Sequence, residues 1–219
     1  MRHGEVSYFE HGRPAPPEGV HLNEQGRAQA AAAALALADV SFDRAVTSGL
    51  PRTVETAEVV APNREHERWP DFQEWRAGRL SEIPPEELEQ AFVGGLQVTD
   101  EEQRFLGGES LREALDRVHS GIDRLVAHEW DTALAVLHGG VNRIILSYAL
   151  TGGARSYYGT FEQAPACINV IDIGSGGEWI VRAVNVASYD LLHLGHRETT
   201  MERYWAELAP FRARFRTKP

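Results

Sequence analysis

Ala133-Leu134-Ala135-Val136-Leu137-His138-Gly139-Gly140 is an apolar run that ends on a histidine and two glycines. A short unbroken apolar run closed by a turn signal reads as a buried strand. The stretch after it, Val141 to Leu150, is apolar and long enough for a helix, which Gly152-Gly153 ends. Strand, tight turn and helix form the building unit of an α/β sheet, and ligands in such sheets bind beyond the carboxyl ends of the strands. His138 is thereby expected at a site. Met1-Arg2-His3-Gly4 sets a second imidazole beside a fixed positive charge, at a glycine where the backbone can turn sharply.

Working outward, strands and helices alternate. Residues 13–20 form a proline-rich loop, and Asn23 caps a helix running to about Ala38. Ser41 to Thr47 reads as a strand, Thr47 to Pro51 as a turn, and Arg52 to Val60 as a helix that Pro62 stops. Residues 69–85 look irregular, and a helix is expected from near Pro85, with Glu86 and Glu87 at its positive end. Ser110 opens an amphipathic helix to about His128, with Leu111, Leu115, Val118, Ile122 and Leu125 at helical spacing. Ala166 to Ile173 and Glu178 to Val186 read as strands joined by Gly174-Ser175-Gly176-Gly177, a hairpin. A short helix around Glu202 to Leu208 follows. The pattern predicts an α/β three-layer sandwich, a mostly parallel central sheet flanked by helices. Residues 1–219 read as one domain, with 63–109 as a lid or insertion over the site.

With 22 Lys and Arg against 32 Asp and Glu, the chain carries a formal charge of −10. Such an acidic chain has no general electrostatic footprint for nucleic acid or an anionic membrane, so neither is expected as a partner. Any anionic ligand must be held by a local cluster of cations. The single cysteine, Cys167, excludes an internal disulfide and reads as a packing residue. Arg2, His3 and Glu5 stand where a signal peptide would need apolar residues, and the longest apolar stretch, Ala30 to Ala38, is too short to span a bilayer. The expected location is cytoplasmic. A homodimer is compatible with the chain, although no residue points to one.

Six stretches, in order, resemble the motifs of the histidine phosphatase superfamily, also called phosphoglycerate mutase-like. Arg2-His3-Gly4-Glu5 resembles its opening motif, and Leu22-Asn23-Glu24-Gln25-Gly26-Arg27-Ala28-Gln29-Ala30 its first helix start. Thr47-Ser48-Gly49-Leu50-Pro51-Arg52 with Thr56-Ala57 resembles its second arginine motif, and Glu74 with Gly78 its acid-bearing loop. Gly108-Glu109-Ser110 and Leu137-His138-Gly139-Gly140 complete the set.

The resemblance implies a phosphomonoester hydrolase that acts on a small phosphorylated metabolite through phospho-His3. Its catalytic residues would be His3, Glu74 and His138. Its substrate-binding residues would be Arg2, Arg52, Gly4, Ser48 and Gly139. The chemistry fits these residue types. A neutral imidazole is a good nucleophile near pH 7. Phosphoryl transfer leaves charge on three oxygens, which the forked donors of Arg2 and Arg52 match. Glu74 would protonate the leaving alcohol and then deprotonate water, with Glu109 the rival for that role. The scheme calls for no cofactor and no metal, because side chains supply the cations. The nine histidines also form no His-Glu-x-x-His spacing.

Two positions depart from the family pattern. A buried apolar strand normally precedes Arg-His-Gly, whereas only Met1 does here, which predicts a shifted placement of Arg2 and His3. Asn is common six residues after the catalytic histidine, and Phe9 stands there, which predicts a different pocket. The alternatives are mutase-type phosphoryl transfer and a non-catalytic phosphate-binding member. Trp69, Phe72, Trp75, Phe92 and Phe105 in the lid stretch suggest a partly apolar or cyclic leaving group. His193 reads as structural, and Arg212, Arg214, Arg216 and Lys218 as a solvated basic tail.

Overall fold

The structure, a computed structural model, describes residues 1–10, 13–94, 100–195 and 198–211, so the basic tail lies outside the described residues. In chain order the strands are β1 (Phe9–Glu10), β2 (Arg13–Pro14), β3 (Arg44–Thr47), β4 (His66–Arg68), β5 (Ala133–Val136), β6 (Ile168–Ile173) and β7 (Trp179–Val186). The α-helices are α1 (Glu24–Ala36), α2 (Pro51–Val60), α3 (Leu88–Val93), α4 (Leu111–Val126), α5 (Gly139–Thr151) and α6 (Thr200–Leu208). β4, β3 and β5 form a parallel sheet in that order, while β6 and β7 pair antiparallel.

Met1–His3 adds a short rung to the open edge of β5. His3 N–H donates to Leu137 O at 2.9 Å and Leu137 N–H to Met1 O at 2.8 Å. On the other side Arg2 N–H donates to Cys167 O at 3.0 Å and Ala166 N–H to His3 O at 2.9 Å. The expected displacement of Arg2 and His3 does not occur. Backbone bonds on both sides hold these residues in register with the end of β5.

Alternation along the strands builds the two helical layers. Ala45, Leu134 and Val136 face Ala33 of α1 and Ala57 and Val60 of α2. Val46 and Leu137 face the opposite way, onto Leu111, Leu115, Val118 and Ile122 of α4 and Val141 and Ile144 of α5. Each large apolar side chain buried there contributes about 1.5–3 kcal/mol. The helix ends follow local chemistry. Asn23 accepts from Gly26 N–H at 2.7 Å, and Ser110 with Glu113 forms a capping box on α4.

Two expectations are corrected. The helix expected from Pro85 starts at Leu88, because Pro84 and Pro85 spend the preceding turn, closed by Glu87 N–H on Pro84 O. Trp69 and Phe72, expected in a lid, are instead core residues packed with α4. Among the described residues no helix is long and apolar enough to cross a membrane.

Candidate active site

Three neighbouring chain segments end on the same side of the sheet, and each delivers part of one site. The rung beside β5 carries Arg2 and His3. β3 ends at Thr47, and Ser48 and Arg52 follow it. β5 runs into His138, which stands at the start of α5. The loop after His3 is pressed onto the start of α1. A Cβ on Gly4 would lie 2.4 Å from Gly26 O, and one on Gly26 would lie 2.1 Å from Glu5 O. Only glycine fits at these two close approaches, which explains Gly4 and Gly26 together.

His3 is 1% exposed, and its Nδ1–H donates to Gly4 O at 2.6 Å. A carbonyl can only accept, so Nδ1 holds the proton and Nε2 carries a lone pair. Nε2 is buried and has no hydrogen-bond partner. Burial, then the charges of Arg52 and Arg2, drive the His3 pKa well below its ordinary value. The ring is therefore neutral at neutral pH, with its free nitrogen unspent.

His138 sits beside it, with ring centroids 5.2 Å apart and edge to face. Its proton is placed by a relay. Thr53 Oγ1 donates to Leu50 O at 2.8 Å, so it accepts from Ser48 Oγ at 3.0 Å. Ser48 Oγ in turn accepts from His138 Nε2–H at 2.8 Å. That leaves His138 Nδ1 as a buried lone pair without a partner. Burial, then Arg52, hold this imidazole neutral as well. Ser48, expected to touch substrate, instead orients His138.

Three guanidiniums surround the histidines. Arg2 Nη1 donates to Thr200 Oγ1 at 2.6 Å and to the carbonyl oxygen of Gln163, and Arg52 Nη1 donates to Pro17 O at 3.1 Å. The Nε atoms of Arg2 and Arg52 are buried without partners. Arg143, one turn into α5, donates through Nε to Phe161 O at 2.7 Å, and burial pulls its pKa below the ordinary range. Among the described residues none of the three has a carboxylate ion-pair partner. Buried charges are normally paired, so this grouping of cations suits an anionic ligand.

Among the described residues two acids line the cavity, Glu18 on its exposed side and Glu74 at the start of α5. Glu74 Oε1 accepts from Trp75 N–H at 3.0 Å and its Oε2 from Gly140 N–H at 3.3 Å, at the start of α5. A Cβ on Gly140 would lie 2.6 Å from Glu74 Oε1, so this glycine makes room for the carboxylate. Glu109 is committed elsewhere. Arg117 grips both its oxygens, at 3.0 and 2.7 Å, and Arg76 N–H donates to it at 3.0 Å.

A cavity of about 640 Å³ opens above the cluster. Arg2, Arg52, Glu74, Gly139 and Arg143 line its floor, and His3 and His138 lie just beneath. Gln73 to Ser81 of the expected lid line it too. Sequence reasoning missed Arg143, Tyr157 and the α6 residues Thr200, Met201 and Tyr204, all of which line the cavity. Arg143 had a signal, being the single cation in an otherwise apolar helix. The α6 residues had none. Cys167 is fully buried, burial raises its thiol pKa, and it packs as expected.

A family model described as the histidine phosphatase superfamily, branch 1, matches residues 1–186. The chain belongs to the histidine phosphatase superfamily. A 2-carboxy-D-arabinitol-1-phosphatase of Triticum aestivum is 27% identical over 178 residues, covering 78% of this chain and 36% of that protein. A 6-phosphofructo-2-kinase/fructose-2,6-bisphosphatase of Gallus gallus is 28% identical over 152 residues, covering 68% and 32%. The chain therefore spans about a third of the length of these curated relatives. Among solved structures, the alpha-ribazole phosphatase of Shigella flexneri superposes with a TM-score of 0.63 at 26% identity, over 84% of this chain and 94% of that one. A mycobacterial glucosyl-3-phosphoglycerate phosphatase has a TM-score of 0.66 at 23% identity, over 84% and 96%, and shows the shared fold. As a histidine phosphatase superfamily member, the chain keeps an arginine-histidine-glycine opening and a second histidine-glycine pair at adjacent strand ends.

Proposed function

We propose that this chain is a phosphomonoester hydrolase working through phospho-His3. One observation carries the reading. A neutral, buried imidazole with an unpartnered Nε2 lies under three guanidiniums that make no carboxylate ion pair among the described residues. The phosphatases named among its relatives support the same reaction class.

In the first half-reaction the Nε2 lone pair of His3 attacks phosphorus. The bond from phosphorus to the ester oxygen breaks, and the Glu74 carboxyl gives its proton to the departing alcohol. The Gly4 carbonyl holds Nδ1–H as positive charge develops on the ring. Arg2, Arg52 and Arg143 take the charge spread over the phosphoryl oxygens. His138 Nδ1 takes a proton from the entering phosphate monoanion, becomes a further donor, and gives the proton back to the departing phosphate. In the second half-reaction the Glu74 carboxylate takes a proton from water, and the water oxygen attacks phosphorus. The N–P bond breaks, and His3 and inorganic phosphate are released.

The test is hydrolysis of p-nitrophenyl phosphate in EDTA by the wild type and His3→Ala. Turnover that falls at least about a thousandfold in the variant is the expected result. An unchanged rate overturns the role of His3. Turnover that requires a bisphosphorylated primer and releases little phosphate would favour mutase-type transfer instead.

A further inference from the structure

Above the charged floor the cavity changes character. Its upper walls carry Phe92 of α3, Phe105 and Leu106 from the turn before α4, and Met201 and Tyr204 of α6. α6 lies beyond residues 1–186, which match the family model. It is firmly seated. Leu208 is fully buried, Trp205 packs on Phe92 with ring centroids 6.0 Å apart, and Arg203 Nη1 donates to Glu5 Oε2 at 2.7 Å.

Charge says what kind of ester fits. Arg2, Arg52 and Arg143 are gathered at the floor, where the phosphate sits, and Glu18 and Glu74 are the acids among the lining residues. Among the described residues the upper walls carry no buried cation for a second anionic group. The other lining cations, Arg76 and Arg79, stand exposed in solvent, and Arg79 already faces Glu82 at 3.6 Å. Hydroxyls of a polyol body set against Phe92, Phe105, Leu106 and Met201 would lose hydrogen bonds to water there, and each one lost is costly. A cavity of about 640 Å³ also has room for far more than a phosphate.

We propose that the space beneath α6 is a leaving-group subsite for a neutral alcohol bearing an aromatic or fused-ring body. The inference rests on the phosphatase reading above and deepens it. The ring lies between Phe92 and Phe105 on one side and Met201 and Tyr204 on the other, with the phosphate on the arginines below.

The test compares 2-naphthylmethyl phosphate with ethyl phosphate and glycerol 3-phosphate, all esters of alkyl alcohols, so that leaving-group basicity does not mask recognition. The expected kcat/KM for the naphthylmethyl ester exceeds both others by at least about thirtyfold, from the apolar area it buries. Met201→Ala is expected to lower that preference about fivefold, and Met201→Leu to preserve it. Equal kcat/KM for the three esters, or a preference for glycerol 3-phosphate, overturns the subsite and leaves the phosphatase reading standing. If the folded protein turns over none of them and no p-nitrophenyl phosphate either, the phosphatase reading fails. Calorimetric binding of 2-naphthylmethylphosphonate and ethylphosphonate then decides the subsite. About thirtyfold tighter binding of the former supports it, and equal affinity overturns it.

Discussion

The site works by leaving particular atoms unsatisfied. His3 Nε2, His138 Nδ1 and the Nε atoms of Arg2 and Arg52 are all buried without partners; a bound anion would satisfy the two arginine donors, and would satisfy His138 Nδ1 once that nitrogen is protonated, while His3 Nε2 keeps its lone pair. Glu74 holds the complementary position, bonded to the first turn of α5 and facing the same cavity. Its two proposed duties separate kinetically. p-Nitrophenolate leaves without a proton, so Glu74→Gln should still form phospho-His3 but lose the base for water. The expected trace is a burst of about one p-nitrophenolate per enzyme, then turnover slowed by roughly 100-fold or more. A steady rate equal to wild type from the first turnover would remove Glu74 from the mechanism. Arg143 is the other residue whose role rests on its burial. Arg143→Gln keeps the bond to Phe161 O within reach but removes the charge. A rise in KM of about tenfold is expected in steady-state assays, the worth of one charge-assisted hydrogen bond.

At the scale of elements, α6 is joined to the segment that carries Arg2 and His3 rather than merely packed nearby. Thr200 bonds Arg2, and Tyr204 meets Tyr8, whose ring lies 5.6 Å from the Arg52 guanidinium. Burial raises the Tyr204 phenol pKa well above its ordinary value, and Tyr8 adds to the effect. Glu5 binds the helix to the loop after His3. Burial alone would raise its carboxyl pKa, but the hydrogen bonds from Arg203 and Asn23 outweigh burial and hold it low. Arg203→Ala should therefore loosen α6 at a cost on the order of 1 kcal/mol. Amide hydrogen exchange in 200–208 is expected to speed up about fivefold, while β3 and β5 keep their protection. Unchanged exchange in α6 would show that its apolar contacts suffice.

Across the whole molecule, the buried histidines tie stability to pH. In the folded state His3 and His138 titrate well below 6.5, their ordinary value, so the unfolded chain binds more protons as pH falls through that value. Their contribution is complete above about pH 7 and erodes below about 6.5, by up to about 1.4 kcal/mol per pH unit for each ring. A melting temperature that falls between pH 7 and 5, above the range where carboxylates titrate, is the expected result. Added inorganic phosphate should blunt the fall, because the anion favours protonated His138. A flat profile over that range would mean that the rings are not held neutral.

The alternation of apolar strands and amphipathic helices determined the layered fold, because side-chain period alone settles which face each element buries. Arg2, His3, Arg52, Glu74 and His138 were picked out by the resemblance of their motifs to the histidine phosphatase superfamily, and the structure brings them together at one end of the sheet. The tertiary structure alone decided what these residues touch. It turned Ser48 from an expected substrate contact into the residue that orients His138. It committed Glu109 to Arg117 and buried Trp69 and Phe72 in the core. It also brought α6, nearly two hundred residues after His3 in the chain, over the cavity. Those outcomes depend on contacts between segments distant in sequence, which are set when the layers pack and leave no local pattern to read.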